Sequence, residues 1–85
     1  MDKKISIILS TYNEAPFIVQ TINEILNNIK NVEIILVDDN SSDGTLEKVK
    51  NVNNPNIKIF SRKFRGLASA FLLGLINSSG DIVGW

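Results

Sequence analysis

Short apolar runs recur along the chain, and each of them has the composition of a β-strand. The first, Ile5–Leu9, is rich in β-branched residues, and the second, Val32–Val37, is apolar almost throughout. Runs of this kind are typical of parallel strands that are covered on both faces. A third strand is predicted at Ile57–Phe60, nearer a sheet edge because the run is short and alternating, and a fourth begins within Asp81–Trp85.

The segments between these strands have the patterns of helices. After Pro16, which fits the first turn of a helix, isoleucine and leucine recur every three or four positions and line one face. The segment after Leu67 is apolar, and its small residues leave room for close packing. The predicted helices run from Pro16 to about Asn28, from a cap at Ser41 or Ser42 to about Lys50, and from Leu67 to about Asn77.

Strict alternation of strand and helix predicts an α/β fold. Right-handed crossovers then give an open, mostly parallel sheet with helices on both faces. We expect residues 1–85 to form a single incomplete domain that is truncated in its fourth strand, because compact domains are usually longer. Ligands of such sheets bind outside the carboxyl ends of the strands. The polar segments Thr11–Glu14 and Asp38–Asn40 therefore belong to one candidate site.

Composition removes several classes of function. The formal net charge is zero, so no basic surface indicates a nucleic-acid partner. The sequence has no cysteine and no histidine, which excludes a disulfide framework, a thiolate metal site and a Ser-His-Asp or Cys-His mechanism within these residues. The longest apolar segment, Leu67–Ile76, is shorter than the roughly 20 residues that span a bilayer.

Two adjacent aspartates, Asp38 and Asp39, follow the second apolar run. Carboxylates at a strand end can accept hydrogen bonds from a ligand, hold a hard cation or cap the next helix. Because side chains alternate along a strand, one carboxylate could support the structure while the other faces a ligand. The polar residues that follow, Asn40 to Asp43, are typical of a turn and a helix start.

Tyr12 and Glu14 lie on the same predicted rim. The ring of Tyr12 could stack on a nucleobase and Glu14 could accept its hydrogen bonds; alternatively, Tyr12 packs locally and Glu14 favours the positive end of the next helix. A basic cluster, Arg62, Lys63 and Arg65, suits a phosphate-bearing ligand, but a short run of charges is more typical of a solvated loop. We interpret Gly66, Gly74 and Gly80 as packing residues and Trp85 as a core residue.

The familiar phosphate-binding motifs are missing from the sequence. No Gly-x-Gly-x-x-Gly follows the first strand, and Gly-x-x-x-x-Gly-Lys-Ser/Thr does not occur. Instead, the segments Ser10–Glu14 and Val37–Thr45, with the glycines from Gly66 to Gly80, resemble the amino-terminal half of family 2 glycosyltransferases. The chain is most similar to the dolichyl-phosphate mannosyltransferase and polyprenyl-phosphate glycosyltransferase group, in which Ser10 is usually a proline.

The resemblance implies a nucleotide-sugar-binding domain of the GT-A type. It implies an enzyme that transfers a sugar with inversion from a GDP- or UDP-sugar to an acceptor such as a polyprenyl phosphate, in the cytoplasm or peripherally at the cytoplasmic membrane. The nucleotide-sugar-binding residues implied are Ser10, Tyr12, Glu14, Val37, Asp38, Asp39 and Arg65, with Asp38 as support, Asp39 on the nucleoside and Arg65 on the diphosphate.

The resemblance also implies that part of the chemistry lies elsewhere. The Asp-x-Asp motif that holds Mg²⁺ or Mn²⁺ is expected after Trp85, so no metal ligand or catalytic residue is assigned within this segment. We expect the 85-residue piece alone to be inactive and to self-associate through its apolar helix face and open sheet edge.

Two other interpretations remain open from the sequence. In a response-regulator receiver, paired acids at a strand end bind Mg²⁺ beside a phosphoacceptor aspartate, and Ile35–Asn40 has the look of such a strand. Here, however, a complete strand and helix precede the pair. The other interpretation is a nucleotide-binding fragment without catalytic activity.

Overall fold

The computed structural model describes residues 3–85, and strands and helices alternate along them. Each apolar run of the sequence forms a strand, and each amphipathic or apolar stretch forms a helix. The elements are β1 (Ile5–Thr11), α1 (Ile18–Asn28), β2 (Val32–Asp39), α2 (Thr45–Val52), β3 (Ile57–Arg62), α3 (Leu67–Asn77) and β4 (Ile82–Gly84).

The four strands of residues 3–85 form one parallel sheet in the order β3-β2-β1-β4. The chain steps outward from β1 to β3 and then returns across the sheet to place β4 beside β1. Such a reversal of direction marks the carboxyl end of β1 as the place where open parallel sheets bind ligands. The edge position of β3 confirms the prediction made from its short, alternating pattern.

Each face of the sheet has its own helical cover. Ile34 and Leu36 of β2 pack with Ile18 and Ile22 of α1 and with Val49 of α2, and all five side chains are buried. Side chains of the intervening β2 positions point to the other face. The predicted parallel α/β fold with helices on both faces is therefore confirmed.

Helix α3 lies very close to the opposite face of the sheet. A Cβ atom at Gly74 would come within 2.5 Å of Cγ2 of Ile8 in β1, and Ala70, one turn earlier, is fully buried. The absence of a side chain at Gly74 is therefore what allows this approach, in agreement with its interpretation as a packing residue.

Several element ends differ from the sequence-based predictions. Strands β1 and β2 each continue two residues further, because Thr11 pairs with Asp38 and Asp38 pairs with Ser61 in the ladder. Helix α2 begins at Thr45, after Gly44 with a φ of +90°, so the predicted caps at Ser41 or Ser42 are wrong.

The predictions for Pro16 and Trp85 are also corrected. Pro16 lies in a turn, and α1 begins two residues later, at Ile18. Trp85 is not a core residue, since 69% of it is exposed; its ring packs against that of Phe71 in a tilted arrangement, with 4.4 Å between the ring centroids. Within residues 3–85, none of the helices has the length and apolar character that crossing a membrane requires.

Candidate functional site

Hydrogen bonds join the loop after β1 to the loop after β2, as the parallel sheet predicts for neighbouring strand ends. The backbone N–H of Asn13 donates to Oγ of Ser41 (2.8 Å), and that of Ser42 donates to Oδ1 of Asn13 (2.9 Å). Asn13 and Asn40 have φ angles of +53° and +61°, a left-handed conformation that asparagine tolerates. The two loops therefore form one shaped rim.

Asp43 and Thr45 extend this connection to the start of α2. Oδ2 of Asp43 accepts a hydrogen bond from the N–H of Ala15 (3.0 Å), and its Oδ1 accepts one from the N–H of Thr45 (3.1 Å). The Thr45 hydroxyl donates to Asp43 and accepts from the N–H of Glu14. These bonds, the one from the Thr45 hydroxyl first, hold the pKa of Asp43 below its ordinary value. Asp43 thus belongs to the helix start, as predicted.

Asp38 supports the rim from beneath. Only 1% of the residue is exposed, and its carboxylate accepts hydrogen bonds from the hydroxyl of Thr11 (2.8 Å) and from the N–H and hydroxyl of Ser41 (3.0 and 2.6 Å). Because protein donors surround it, Asp38 fixes the loop and presents no free surface to a ligand.

Asp39 points to the other face of the sheet and forms a bidentate ion pair with Arg62. Nε of Arg62 donates to Oδ1 (2.8 Å), Nη2 donates to Oδ2 (2.9 Å), and the N–H of Gly66 adds a bond to Oδ2 (3.2 Å). The Arg62 guanidinium holds the pKa of Asp39 below its usual range, and Asp39 in turn raises the pKa of Arg62. A carboxylate offers about four lone-pair sites, so Oδ1 can accept one more hydrogen bond.

A cavity of about 510 Å³ opens at the carboxyl ends of the strands. It contains five of the seven site residues assigned by the resemblance, together with three residues that were not assigned. Its lining residues are Ser10, Thr11, Tyr12, Glu14, Asp39, Arg65, Gly66 and Leu67.

Val37 is a correction to the assigned residues. It is fully buried in β2, and its backbone pairs with Ser10 on one side and Phe60 on the other. Its side chain therefore has no surface that a base or ribose could contact. Its neighbour Asp38 is likewise absent from the lining. The cavity wall begins at Asp39.

Arg65 and Tyr12 face each other across the mouth of the cavity. The Arg65 guanidinium carbon lies 4.0 Å from the centroid of the Tyr12 ring, which is within the range of a cation–π contact. Both residues are exposed, and Tyr12 is 39% exposed. A flat aromatic surface and a positive charge are therefore available to the same ligand.

The importance of Arg62 was missed from the sequence, where it was one member of a basic cluster. The sheet register places Arg62 directly opposite Asp39, and the pair is nearly buried, with side-chain exposures of 9% and 5%. No short-range pattern encodes a contact between residues 23 positions apart. An arginine at the end of one strand and an acid at the end of its neighbour was the only available signal.

A metal site does not fit the described acids. Among residues 3–85, no group of three or more His, Cys, Asp or Glu side chains is placed to hold an ion. Two acids line the cavity, Glu14 and Asp39, and Asp39 is already paired with Arg62. A larger cavity of about 730 Å³ lies at the amino-terminal edge of the sheet, but its lining has asparagines and two lysines without a carboxylate. The smaller cavity is therefore the better candidate site.

Comparisons with known proteins agree with this geometry. The family model described as Glycosyl transferase family 2 matches residues 6–85. A dolichol-phosphate mannosyltransferase of Pyrococcus furiosus is 37% identical over 83 residues, which cover 93% of this chain and 24% of that protein.

Two solved structures share the fold. The mannosyltransferase PcManGT from Pyrobaculum calidifontis, in complex with GDP-Man and Mn²⁺, aligns with a TM-score of 0.86 and 28% identity over 98% of this chain and 26% of its own. Residues 1–349 of S. aureus TarS in complex with UDP align with a TM-score of 0.83 and 28% identity, covering 94% of this chain and 25% of that TarS segment. The chain thus spans about a quarter of the length of the dolichol-phosphate mannosyltransferase and of the PcManGT chain.

The parallel sheet and these similarities define the amino-terminal part of a GT-A glycosyltransferase. The chain belongs to glycosyl transferase family 2. The resemblance drawn from the sequence is confirmed, and the response-regulator interpretation is wrong. The paired acids are engaged by Thr11, Ser41 and Arg62, whereas a receiver would need them for a cation.

Proposed function

We propose that the full-length protein transfers a sugar, with inversion, from a GDP- or UDP-sugar to an acceptor, and that residues 1–85 supply part of its nucleotide site. One observation carries the proposal. A single cavity at the carboxyl ends of β1 and β2 combines the aromatic ring of Tyr12, the carboxylate of Asp39 and the guanidinium of Arg65. An aromatic ring can stack on a base, a carboxylate can accept a hydrogen bond from a base or ribose, and a guanidinium can bind a diphosphate.

Each of these residues has a separate task in the proposal. The Tyr12 ring stacks on the base, and Oδ1 of Asp39 accepts one hydrogen bond from a base N–H or a ribose hydroxyl. Arg65 moves from the Tyr12 ring to the diphosphate, while Arg62 keeps Asp39 ionised and oriented. Ser10 and Glu14, which also line the cavity, add polar contacts to the nucleoside.

These residues bind and orient the donor but do not perform the transfer. We propose that a divalent cation acts on the diphosphate in the full-length enzyme, held by residues outside those described, since Asp39 is engaged by Arg62. When bound, the cation would stabilise charge on the leaving group. The general base and the acceptor site also lie outside residues 3–85, so we expect no turnover by the 85-residue chain.

A polyprenyl phosphate is our proposed acceptor, and we place the enzyme in the cytoplasm or peripherally at the cytoplasmic membrane. The support is the 37% identity to the dolichol-phosphate mannosyltransferase of Pyrococcus furiosus. An assay of the full-length protein with radiolabelled GDP-mannose or UDP-glucose and a short-chain polyprenyl phosphate tests this choice. Label in the organic phase would support it, whereas nucleotide binding without transfer to any acceptor would favour the non-catalytic alternative.

Calorimetric titration with UDP and GDP, each with and without Mn²⁺, tests the nucleotide site. In the full-length protein, Tyr12→Ala should weaken binding roughly tenfold or more, because stacking of a base on an aromatic ring is lost. Phe17→Ala is the matched control, since Phe17 is an exposed aromatic residue that does not line the cavity. Equal affinities for the two variants, or no binding of either nucleotide to the wild type, would refute the proposed site.

A further inference from the structure

Strand β2 carries two buried carboxylates on one face of the sheet. Glu33 and Asp39 are 3% and 4% exposed. They are six residues apart, so their side chains point the same way, about 20 Å from each other along the strand. The face they share is the one covered by α3, which packs on Ile8 through Gly74.

Asp39 holds the beginning of α3. It accepts a hydrogen bond from the N–H of Gly66, the residue before the helix. Its partner Arg62 donates to the carbonyl of Gly66 (2.8 Å) and to the hydroxyl of Ser69 in the first turn (2.7 Å). The first turn of the helix, whose Leu67 lines the candidate site, is thus attached to the carboxyl end of β2.

Glu33 holds the other end of α3. Its Oε2 accepts the backbone N–H of Ser79, in the turn between α3 and β4 (2.6 Å), and the Ser79 hydroxyl also donates to it (3.0 Å). Lys58 of β3 lies 3.2 Å from Oε1 and donates to the carbonyl of Asn77, the last helical residue (3.1 Å). The Ser6 hydroxyl donates to Glu33 and accepts the N–H of Gly80 (2.9 Å).

We propose that Glu33 is a positioning residue, and that it fixes α3 and the α3–β4 turn so that the Gly66–Leu67 wall of the candidate site stays in place. An 11-residue helix is rigid, so its inclination to the sheet is determined when both of its ends are attached. Asp39 attaches one end and Glu33 the other. The part of this proposal that concerns ligand binding rests on the proposed function.

The charge of Glu33 is essential to this attachment. Burial acts to raise its pKa, but the bonds from Ser6, Ser79 and Lys58 outweigh burial and lower the pKa to about 2. Besides Lys58, the charged groups near it are Lys4, 3.6 Å away, and Asp81, which accepts the N–H of Lys4. The carboxylate is therefore ionised at neutral pH and acts only as an acceptor.

Hydrogen exchange in the full-length protein, with and without Glu33→Gln, tests the attachment directly. The amide of glutamine adds N–H donors where Ser79 and Lys58 already donate. Exchange of the Ser79 and Gly80 amides should therefore become at least about tenfold faster than in the wild type, because bonds to a charged acceptor are among the stronger ones. The control is Val49→Ala, which removes packing on the opposite face of the sheet. It should not accelerate exchange of the Ser79 and Gly80 amides more than that of other amides.

Nucleotide affinity provides the second measurement. At a temperature where both variants are folded, Glu33→Gln should weaken binding several-fold and Val49→Ala should leave it unchanged, although both lower stability. Unchanged exchange at Ser79 and Gly80 would overturn the attachment, and equal affinities of the two variants would overturn the positioning role. If Glu33→Gln does not fold, Ser6→Ala replaces it, with faster exchange expected at Gly80. If the wild type binds no nucleotide, the proposed function fails, and hydrogen exchange alone decides the attachment.

Discussion

Asp38 and Asp39 are adjacent in sequence but serve different partners, because successive side chains of a strand point to opposite faces. Asp38 accepts hydrogen bonds from Thr11 and Ser41, and Asp39 binds the guanidinium of Arg62. The neutral donors of Thr11 and Ser41 bind Asp38 and shape the loop after β2. The Arg62 guanidinium keeps Asp39 ionised beside the cavity. The two residues therefore give distinct results when they are mutated.

We expect Asp39→Asn to reduce both stability and nucleotide binding. The substitution leaves the nearly buried Arg62 without a counter-charge, and breaking one side of a buried ion pair costs about 3 kcal/mol. It also removes the carboxylate that we propose binds the nucleoside, and leaves Glu14 as the remaining acid of the cavity. Urea unfolding of the full-length protein measures the first effect, and calorimetry with UDP and GDP measures the second.

Asp38→Asn is the matched comparison. It should cost about 2 kcal/mol of stability, because an amide group would face the N–H of Ser41, yet nucleotide affinity should change little at a temperature where the protein is folded. Stronger binding loss in the Asp38 variant than in the Asp39 variant would contradict the division of roles.

The roles of individual residues were predictable from the sequence where they depend on the end of a single strand. They were less predictable where they depend on contacts between distant parts of the chain. The acids at the end of β2 were found because charge follows an apolar run abruptly. The Arg62 partner was not, since it depends on how β2 aligns with β3. Burial of Val37 did follow from the apolar run, and it contradicts the ligand contact that the resemblance assigned to this residue. Trp85 was misplaced because its large apolar side chain favours a core, while here it packs against Phe71 and stays 69% exposed.

At the scale of elements, α3 is distinguished by how closely it approaches the sheet. Interiors are packed to the density of organic crystals, so an added atom is tolerated only where neighbours can move. The nearest atoms to a Cβ at Gly74 all belong to Ile8, within 3.1 Å. The side chain of Ile8 in β1 therefore limits which residue can occupy position 74 of α3, and the reverse also holds.

Gly74→Ala should therefore destabilise the protein by about 1–3 kcal/mol, despite the better helix propensity of alanine. Ile8→Ala alone should also destabilise, by leaving a cavity. In the double variant, the new methyl group occupies part of that cavity, so the loss should be smaller than the sum of the single effects. Strict additivity in urea unfolding would show that Gly74 and Ile8 are not in contact.

The element order followed from the alternation of apolar runs with helical patterns, and the bounds of α3 followed from the extent of its apolar segment. The ends of β1 and β2 were predicted two residues short, since their last residues are polar and are held by pairing with a neighbouring strand. The start of α2 depends on the left-handed conformation of Gly44, which periodicity does not report. Local signals thus located the elements, and tertiary contacts determined their ends.

For the whole molecule, stability should fall as the pH is lowered toward 2, and Glu33 should account for a measurable part of the loss. Its pKa is lowered from 4.5 to about 2, so its contribution is complete above the unfolded-state value and disappears as the pH falls through that window. The contribution is of order 3 kcal/mol. Urea unfolding of the wild type and Glu33→Gln should give a stability difference that is constant above about pH 5 and shrinks toward pH 2. A difference independent of pH would contradict this.

The outer side of α3 is apolar as well as the side that packs on the sheet. Leu72, Leu75 and Ile76 are 55%, 41% and 78% exposed and share one face, because residues three and four apart are neighbours on a helix. Strand β4 pairs with β1 on one side, and within the described residues its other edge carries no strand. Large exposed apolar patches and open edges are typical sites of association.

We therefore expect the 85-residue chain, expressed alone, to self-associate at micromolar concentration. Sedimentation velocity should show species larger than a monomer, and replacing Leu72 and Ile76 with lysine should shift the distribution toward the monomer. The control places two lysines at Glu24 and Gln20, polar positions on the exposed face of α1, and should not shift it. Because the α3 variants change only outward-facing positions, they should preserve the far-ultraviolet circular dichroism spectrum. A monodisperse, cooperatively unfolding wild-type monomer would mean that the apolar face of α3 does not drive association.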